Sequence, residues 1–405
     1  MNLDDPVAAL EIGTSRTVLA VGEPLGPNRV RVAAIVDIPS SGVRQSQITD
    51  VAQAAMSVSS VLARAERESG YHVFMAALAV SGPLIESRVV ENQWKVDAKT
   101  RVVTEEDVTR LYNHSISSGG ADSADLALLD AREQSYGLDD RDGIDSPVGL
   151  TGDVLRLRTI LVHGPKARLD DQRAAATHAK LTISDAMFAG SCAATAVLTA
   201  ASRAAGALVV DLGGGCTSFT AWAGGKLVFA GVLPVGGDHV TNDVRVAFGI
   251  SLAQAESAKR QASATILAER QNGRVPVSKS LAAVGPDSIS MRALDVVVNA
   301  RMGELFSILR EKLDNANLLH RLAGGVFLTG GGARLAHVSE LAETVLGLHT
   351  RIGEIVPEIE GLEKAEFPAA HATVAGLLLD ALASGDGEAS FVDSMKKIWK
   401  KVTRK

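Results

Sequence analysis

Residues 207–222 read ALVVDLGGGCTSFTAW, and this stretch decides the fold. Four apolar residues lead to Asp211; Gly213, Gly214 and Gly215 follow after Leu212, then Cys216, Thr217 and Ser218, then alternating apolar residues. The pattern predicts a β-hairpin: a buried strand, an acid at its end, a tight glycine turn and a return strand. Glycines in such a turn admit an anion close to backbone N–H groups, and neighbouring hydroxyls add donors. An aspartate there suits a hydrated Mg²⁺ held against phosphate oxygens. The stretch reads as one jaw of a nucleotide clamp.

A second copy lies roughly 200 residues upstream. In residues 7–21, VAALEIGTSRTVLAV, the run Glu11-Ile12-Gly13-Thr14-Ser15 lines up with Asp211-Leu212-Gly213-Gly214-Gly215. Each hairpin continues through a Gly-containing turn into a third strand, 30–35 in one case and 227–232 in the other. The chain thus holds an internal duplication of a three-stranded meander. Two like domains facing each other aim both turns at one cleft, a common place for a ligand.

Composition agrees with α/β layers. Of 405 residues, 46% are hydrophobic and 22% charged, which suits a globular chain. The net charge of −6 is uneven: 391–405 holds six basic residues and one acid, leaving −11 on the rest. An acidic body with a basic tail speaks against a nucleic-acid partner and marks the tail as special. Cys192 and Cys216 make no metal spacing, and a reducing compartment is expected. The N-terminus lacks a signal-peptide pattern, and no run of about 18 apolar residues spans a membrane. No GxxxxGK[ST] occurs, which speaks against a P-loop ATPase.

Four further stretches carry signals. From Pro83 to His163 the texture shifts to short strands, charged patches and one capped helix beginning near Thr104, which predicts an inserted domain. Residues 191–204 and 251–270 are predicted as single helices. Glu256 and Lys259 lie one turn apart on the second of these, as a helical ion pair or as two polar groups facing a ribose. A strand ending in Thr329 runs into Gly330-Gly331-Gly332-Ala333, which is either a plain βα turn or an anion- or adenine-approach site. Finally, after a Gly/Asp-rich linker, Phe391, Val392, Met395, Ile398, Trp399 and Val402 share one helical face, with Lys396, Lys397, Lys400 and Lys401 elsewhere. A terminal core helix would show the same period. The polar linker, the lysine density and the boundary tryptophan favour an interfacial membrane helix.

Taken together, EIGTSRTVLAVGE, SSGVRQSQITD, LAVSG, IDSPVGLTG, VVDLGGG, LPVGGDHVTNDVRVAFG, AESAK, VFLTGGGARL, TRIG and ATVAGLL resemble, in order, the FtsA family of actin-like bacterial cell division proteins. The resemblance implies a two-lobed α/β actin-like fold with an inserted subdomain. Subdomain IA would take 1–82, 164–205 and 368–384; IC 83–163; IIA 206–240 and 305–367; IIB 241–304; a linker 385–390; and a membrane helix 391–405. ATP with Mg²⁺ would lie between the lobes. Glu11, Gly13, Thr14 and Ser15 would form one phosphate loop, and Asp211, Gly213–Gly215, Cys216 and Thr217 the other, with Gly237 nearby. Glu11 and Asp211 would hold the metal through water, Glu256 and Lys259 would approach the ribose, and Gly330–Ala333 the adenine. The tail would bind the anionic inner face of the cell membrane at midcell as a peripheral anchor. The C-terminal peptide of the tubulin-like FtsZ would dock on IIB, where Arg301 and Glu304 match the docking surface by position. Filament formation and other division partners would be expected, with at most weak ATPase activity.

Two residues depart from the family pattern, Cys216 standing for Thr and Ser218 for Asp, which bears on hydrolysis more than on binding. Rival readings are a pilus-assembly adaptor of similar fold, which would not need the tail, and a superfamily kinase or phosphatase, which would need a catalytic Asp with no clear candidate here.

Overall fold

The computed structural model describes residues 6–26, 28–120, 125–264, 273–277, 286–363 and 365–383. The linker 385–390 and the helix predicted over 391–405 lie outside them.

Two sheets repeat one topology. In the first, Val7–Ile12 and Arg16–Gly26 form an antiparallel hairpin, Arg29–Pro39 extends it, and Met75–Val80 and Thr182–Phe188 add in parallel on the other side of Val7–Ile12. In the second, Ala207–Leu212 and Thr217–Ala223 form the hairpin, Lys226–Leu233 extends it, and Val326–Thr329 and Thr350–Ile352 add in parallel. The duplicated meander is therefore real, and it is the middle of each sheet. The first strands are buried along nearly their whole length, as expected where both faces are covered by helices.

Each sheet has its own core. Against the first lies the helix Val51–Ser69, with Ala54, Val58, Val61 and Ala65 buried at helical spacing. Asp50 caps its start by accepting from Gln53 N at 3.0 Å, and Gly70 in the left-handed region ends it. Helices Ala189–Val197 and Ala372–Ala383 cross behind the hairpin at close range. A Cβ on Gly376 would overlap Cys192 O and stand 2.8 Å from its carbonyl carbon. Both groups are backbone, so neither yields easily. Gly376→Ala is expected to cost about 3 kcal/mol of stability, read as a lower denaturant midpoint; an unshifted midpoint would show that the two helices are not fixed at this distance. The second core gathers Gly237–Phe248, Leu252–Ala264, Met291–Asn315 and Val338–Leu346 around the other sheet.

The single helix predicted over 191–204 is in fact two. Leu198 is extended (φ −103°, ψ 119°), and Thr199 caps a second short helix, Ala200–Ala205, by accepting from Ser202 N. A threonine hydroxyl offers that local bond, and a helical period alone does not reveal it.

Strands Glu86–Lys95, Leu126–Leu138, Arg141–Ile144 and Val154–Pro165 pair antiparallel, and the helix Glu105–Gly120 covers them over a small separate core. Thr104 and Asp107 cap that helix reciprocally, Oγ1 accepting from Asp107 N at 3.2 Å and Oδ2 from Thr104 N at 3.0 Å. This unit continues the second sheet at Lys226–Leu233, where Gly231 pairs with Glu86, Ser87 Oγ accepts from Ala230 N and donates to Ala230 O at 2.8 Å each, and Val232 N donates to Ile85 O at 3.2 Å. No helix among the described residues is long and apolar enough to cross a membrane.

Candidate functional site

The two hairpin turns close in the same way. Gly13 N donates to Arg16 O at 3.0 Å, and Gly213 N to Cys216 O at 3.1 Å. They also touch. A Cβ on Gly214 would stand 3.0 Å from Ser15 Cβ, and one on Gly215 would overlap Thr14 Oγ1 and reach 3.0 Å from Ser46 N. Only glycine lets the second turn seat against the first. Glu11 and Asp211 each stand next to last in the strand that leads into its turn, and both line the same cavity.

A cavity of about 790 Å³ opens above the turns. Glu11, Gly13, Thr14, Ser15, Asp211, Gly213, Gly214, Gly215 and Cys216 form its floor. Gly237, Glu256 and Lys259 line one wall, and Gly330, Gly331, Gly332 and Ala333 the other. Of the predicted nucleotide-site residues, Thr217 alone is not in the lining. It starts the return strand, is fully buried, and donates to Val235 O at 2.8 Å.

The floor is electrostatically tense. Burial, with the facing Asp211 carboxylate, pushes Glu11 up from 4.5 to about 7 against the pull of Arg16. Burial raises Asp211 as well, although Thr329 Oγ1 at 3.2 Å, Arg16 and Thr373 Oγ1 at 3.4 Å favour its charge. Two close carboxylates with one neighbouring guanidinium suit a hydrated divalent cation. The described residues hold no group of three or more His, Cys, Asp or Glu placed for a metal, so such a cation would need ligands beyond the protein. Because the folded-state value of Glu11 exceeds its ordinary 4.5, its contribution to stability is complete below about pH 4.5 and is lost as pH rises through about 7. Glu11→Gln is expected to flatten that part of the stability–pH profile of the ligand-free chain; a profile identical to wild type would contradict the strained pair.

On the first wall, Glu256 and Lys259 pair at 2.6 Å. Lys259 Nζ also donates to Thr241 Oγ1 at 2.7 Å and Gly237 O at 3.1 Å. Burial opposes the charge on Glu256, yet Lys259, Thr241 and Arg260 hold its carboxyl at about 2. The predicted ion pair therefore forms, and both of its members line the cavity. The helix Gly237–Phe248 does not offer its first amides to an anion, since Gly237 N donates to Gly213 O and Asp238 N to Gly214 O, each at 2.9 Å. Gly237 therefore fixes the second turn from behind. On the opposite wall Arg334 lies over the Phe367 ring at 5.1 Å.

Sequence reasoning missed several lining residues. Arg16 directly follows the first turn, where a cation beside a phosphate loop is a readable signal; it binds Asp37 at 3.1 Å and Ala370 O. Ser46, Ser81, Asp238, Arg260, Arg334 and Phe367 reach the cavity from separate loops and helices and carry no local pattern. Cys216, where the family pattern has Thr, is an acceptor here: Ser46 Oγ donates to its Sγ at 3.0 Å. Ser218 Oγ lies 2.7 Å from Ser81 Oγ. Arg301 and Glu304 sit apart from the cavity on Met291–Asn315, paired with each other, and Arg301 grips Asp243 through Nε at 2.6 Å and Nη2 at 3.1 Å.

Two family models match the chain: Cell division protein FtsA over residues 208–376, and the SHS2 domain inserted in FtsA over residues 82–163, together more than half of it. The chain belongs to the FtsA family. Relatives named Cell division protein FtsA extend the match over nearly the full length. That of Escherichia coli K12 is 29% identical over 382 residues, covering 92% of this chain and 89% of the relative. That of Borreliella burgdorferi is 25% identical, covering 98% and 95%. Among solved structures, one of the PilM–PilN type IV pilus biogenesis complex superposes with a TM-score of 0.65 at 15% identity, covering 93% of this chain and 98% of that one. MreB5 of Spiroplasma citri bound to ADP gives 0.52 at 14% identity over the whole of both chains. The fold is actin-like with the FtsA-type insertion, and the chain is an actin-like cell division protein.

Proposed function

We propose that this FtsA-family chain binds ATP with Mg²⁺ between its two lobes and tethers FtsZ filaments to the cytoplasmic face of the cell membrane. The observation that carries the nucleotide part is the seating of two like turns against each other, with Glu11 and Asp211 both lining one cavity of about 790 Å³. The two acids would hold the hydrated metal, which neutralises phosphate charge when bound. The turn amides, Thr14 and Ser15 would meet the phosphates, with Arg16 adding positive charge. Glu256 and Lys259 would face the ribose, and Gly330–Ala333 the base. MreB5, of similar fold, is described as bound to ADP, which supports this reading.

The membrane part rests on the residues of the tail. Six apolar side chains on one face, with roughly 1 kcal/mol for each basic residue near anionic lipid, make a reversible anchor. The FtsZ peptide would dock on 241–304, near Arg301 and Glu304, and the subdomain boundaries given above belong to the same proposal. Deleting 391–405 is expected to abolish co-sedimentation of the chain, and of FtsZ with it, on anionic liposomes, while ATP binding persists. Undiminished sedimentation of the truncated chain would sink the anchor.

A further inference from the structure

A short hairpin, Val43–Arg44 with Gln47–Ile48, turns through Gln45 and Ser46, both at positive φ (48° and 59°). Such a two-residue turn favours Asn or Gly, and each non-glycine residue there costs about 1–2 kcal/mol. What holds this tip is unusual in its reach, because every polar group of Ser46 is engaged by a different part of the molecule. Its N–H donates to Thr14 Oγ1 of the first turn at 2.7 Å. Its hydroxyl donates to Cys216 Sγ of the second turn at 3.0 Å. Its carbonyl accepts from Arg168 Nη1.

Arg168 belongs to neither turn. It is on the helix Lys166–His178, which starts directly where the strand Val154–Pro165 leaves the inserted domain. The same guanidinium donates through Nη2 to Pro83 O at 3.3 Å, where the chain crosses into that domain. Its head fits because residue 82 is glycine: a Cβ there would stand 2.5 Å from Arg168 Cζ. The side chain is 7% exposed, and burial lowers its pKa. A guanidinium buried at such a cost, with Nη1 and Nη2 donating to two backbone carbonyls, is a geometric tie rather than a surface ion pair.

We propose that the Gln45–Ser46 tip and Arg168 couple occupancy of the two phosphate turns to the position of the inserted domain, with Arg168 as the positioning residue. The inference rests on the nucleotide reading above. A phosphate entering between Thr14 and Cys216 must compete with, or tighten, the bonds that both make to Ser46. Any movement of Ser46 passes through its carbonyl to Arg168, and from there to both crossings of the inserted domain at once. The tie is a contiguous chain of hydrogen bonds with a strained element in its middle, one physical route by which separated sites are coupled.

Hydrogen–deuterium exchange of the full chain, with and without Mg·ATP, tests this in wild type, Arg168→Lys and Arg168→Ala. In wild type, Mg·ATP is expected to slow exchange about threefold or more both at 43–48 and at the crossings, 82–88 and 160–168. Lysine keeps the charge but has no fork to reach two carbonyls, so Arg168→Lys should retain the response at 43–48 and lose at least half of that at the crossings. Arg168→Ala should lose the crossing response altogether; if that variant does not fold, Arg168→Lys decides alone. Equal crossing responses in wild type and Arg168→Lys would overturn the coupling, as would a wild-type response confined to 43–48. No response to Mg·ATP anywhere in wild type would overturn the nucleotide reading and the coupling together.

Discussion

Asp211→Asn is expected to weaken Mg·ATP binding by roughly 10- to 150-fold without lowering the stability of the ligand-free chain. The asymmetry follows from the environment of this side chain. It stands at the end of Ala207–Leu212, 9% exposed, accepting from Thr329 and Thr373. Burial raises its pKa, so ionised Asp211 is a burden on the empty fold that a cation would relieve. Asparagine keeps the shape and one acceptor oxygen but removes the charge that a hydrated metal needs. The loss of one charge-assisted contact, about 1.5–3 kcal/mol, gives the stated range. Thermal unfolding should therefore show an unchanged or higher midpoint without ligand and a smaller rise with Mg·ATP, since ligand stabilisation follows the affinity. Wild-type affinity in the variant would remove Asp211 from the site. A large drop in ligand-free stability would show that the carboxylate is structural instead.

Gly330→Ala is expected to fail on both counts. Gly330 has φ 81° and ψ 174°, a region open essentially to glycine alone. An added Cβ would stand 2.5 Å from Asp211 Oδ1 and 2.7 Å from Leu212 O. Backbone strain of about 1–3 kcal/mol would add to displacement of the acid that the site depends on. A loss of about 3 kcal/mol in stability, together with loss of nucleotide binding, is the expected outcome in denaturation and titration experiments. Near-native stability with normal binding would mean that the third glycine turn is not wedged against the second hairpin as described.

These two positions show what was legible. The strand–acid–glycine pattern and its duplication locate both turns and both carboxylates, because each depends only on neighbours along the chain. The change of texture after Pro83 marks the inserted domain, and the family resemblance adds the actin-like fold. Thr217 shows the limit: it sits in the turn motif, yet the strand period sends its hydroxyl to Val235 O rather than to the cavity. Arg168 is further out of reach. Nothing in GPKARLDD announces a guanidinium that ties Ser46 to Pro83, since the three segments meet only in the folded chain. Ser46 is similar, as its positive φ is offset by bonds to residues 32 and 170 positions away. Contacts of that span leave no period or spacing to read.

The nucleotide cleft is the central claim, and equilibrium titration of the wild-type chain with ATP, in the presence and absence of Mg²⁺, tests it most directly. One saturable site per chain, tightened by Mg²⁺, is predicted. No saturable binding, or binding indifferent to Mg²⁺, would contradict it.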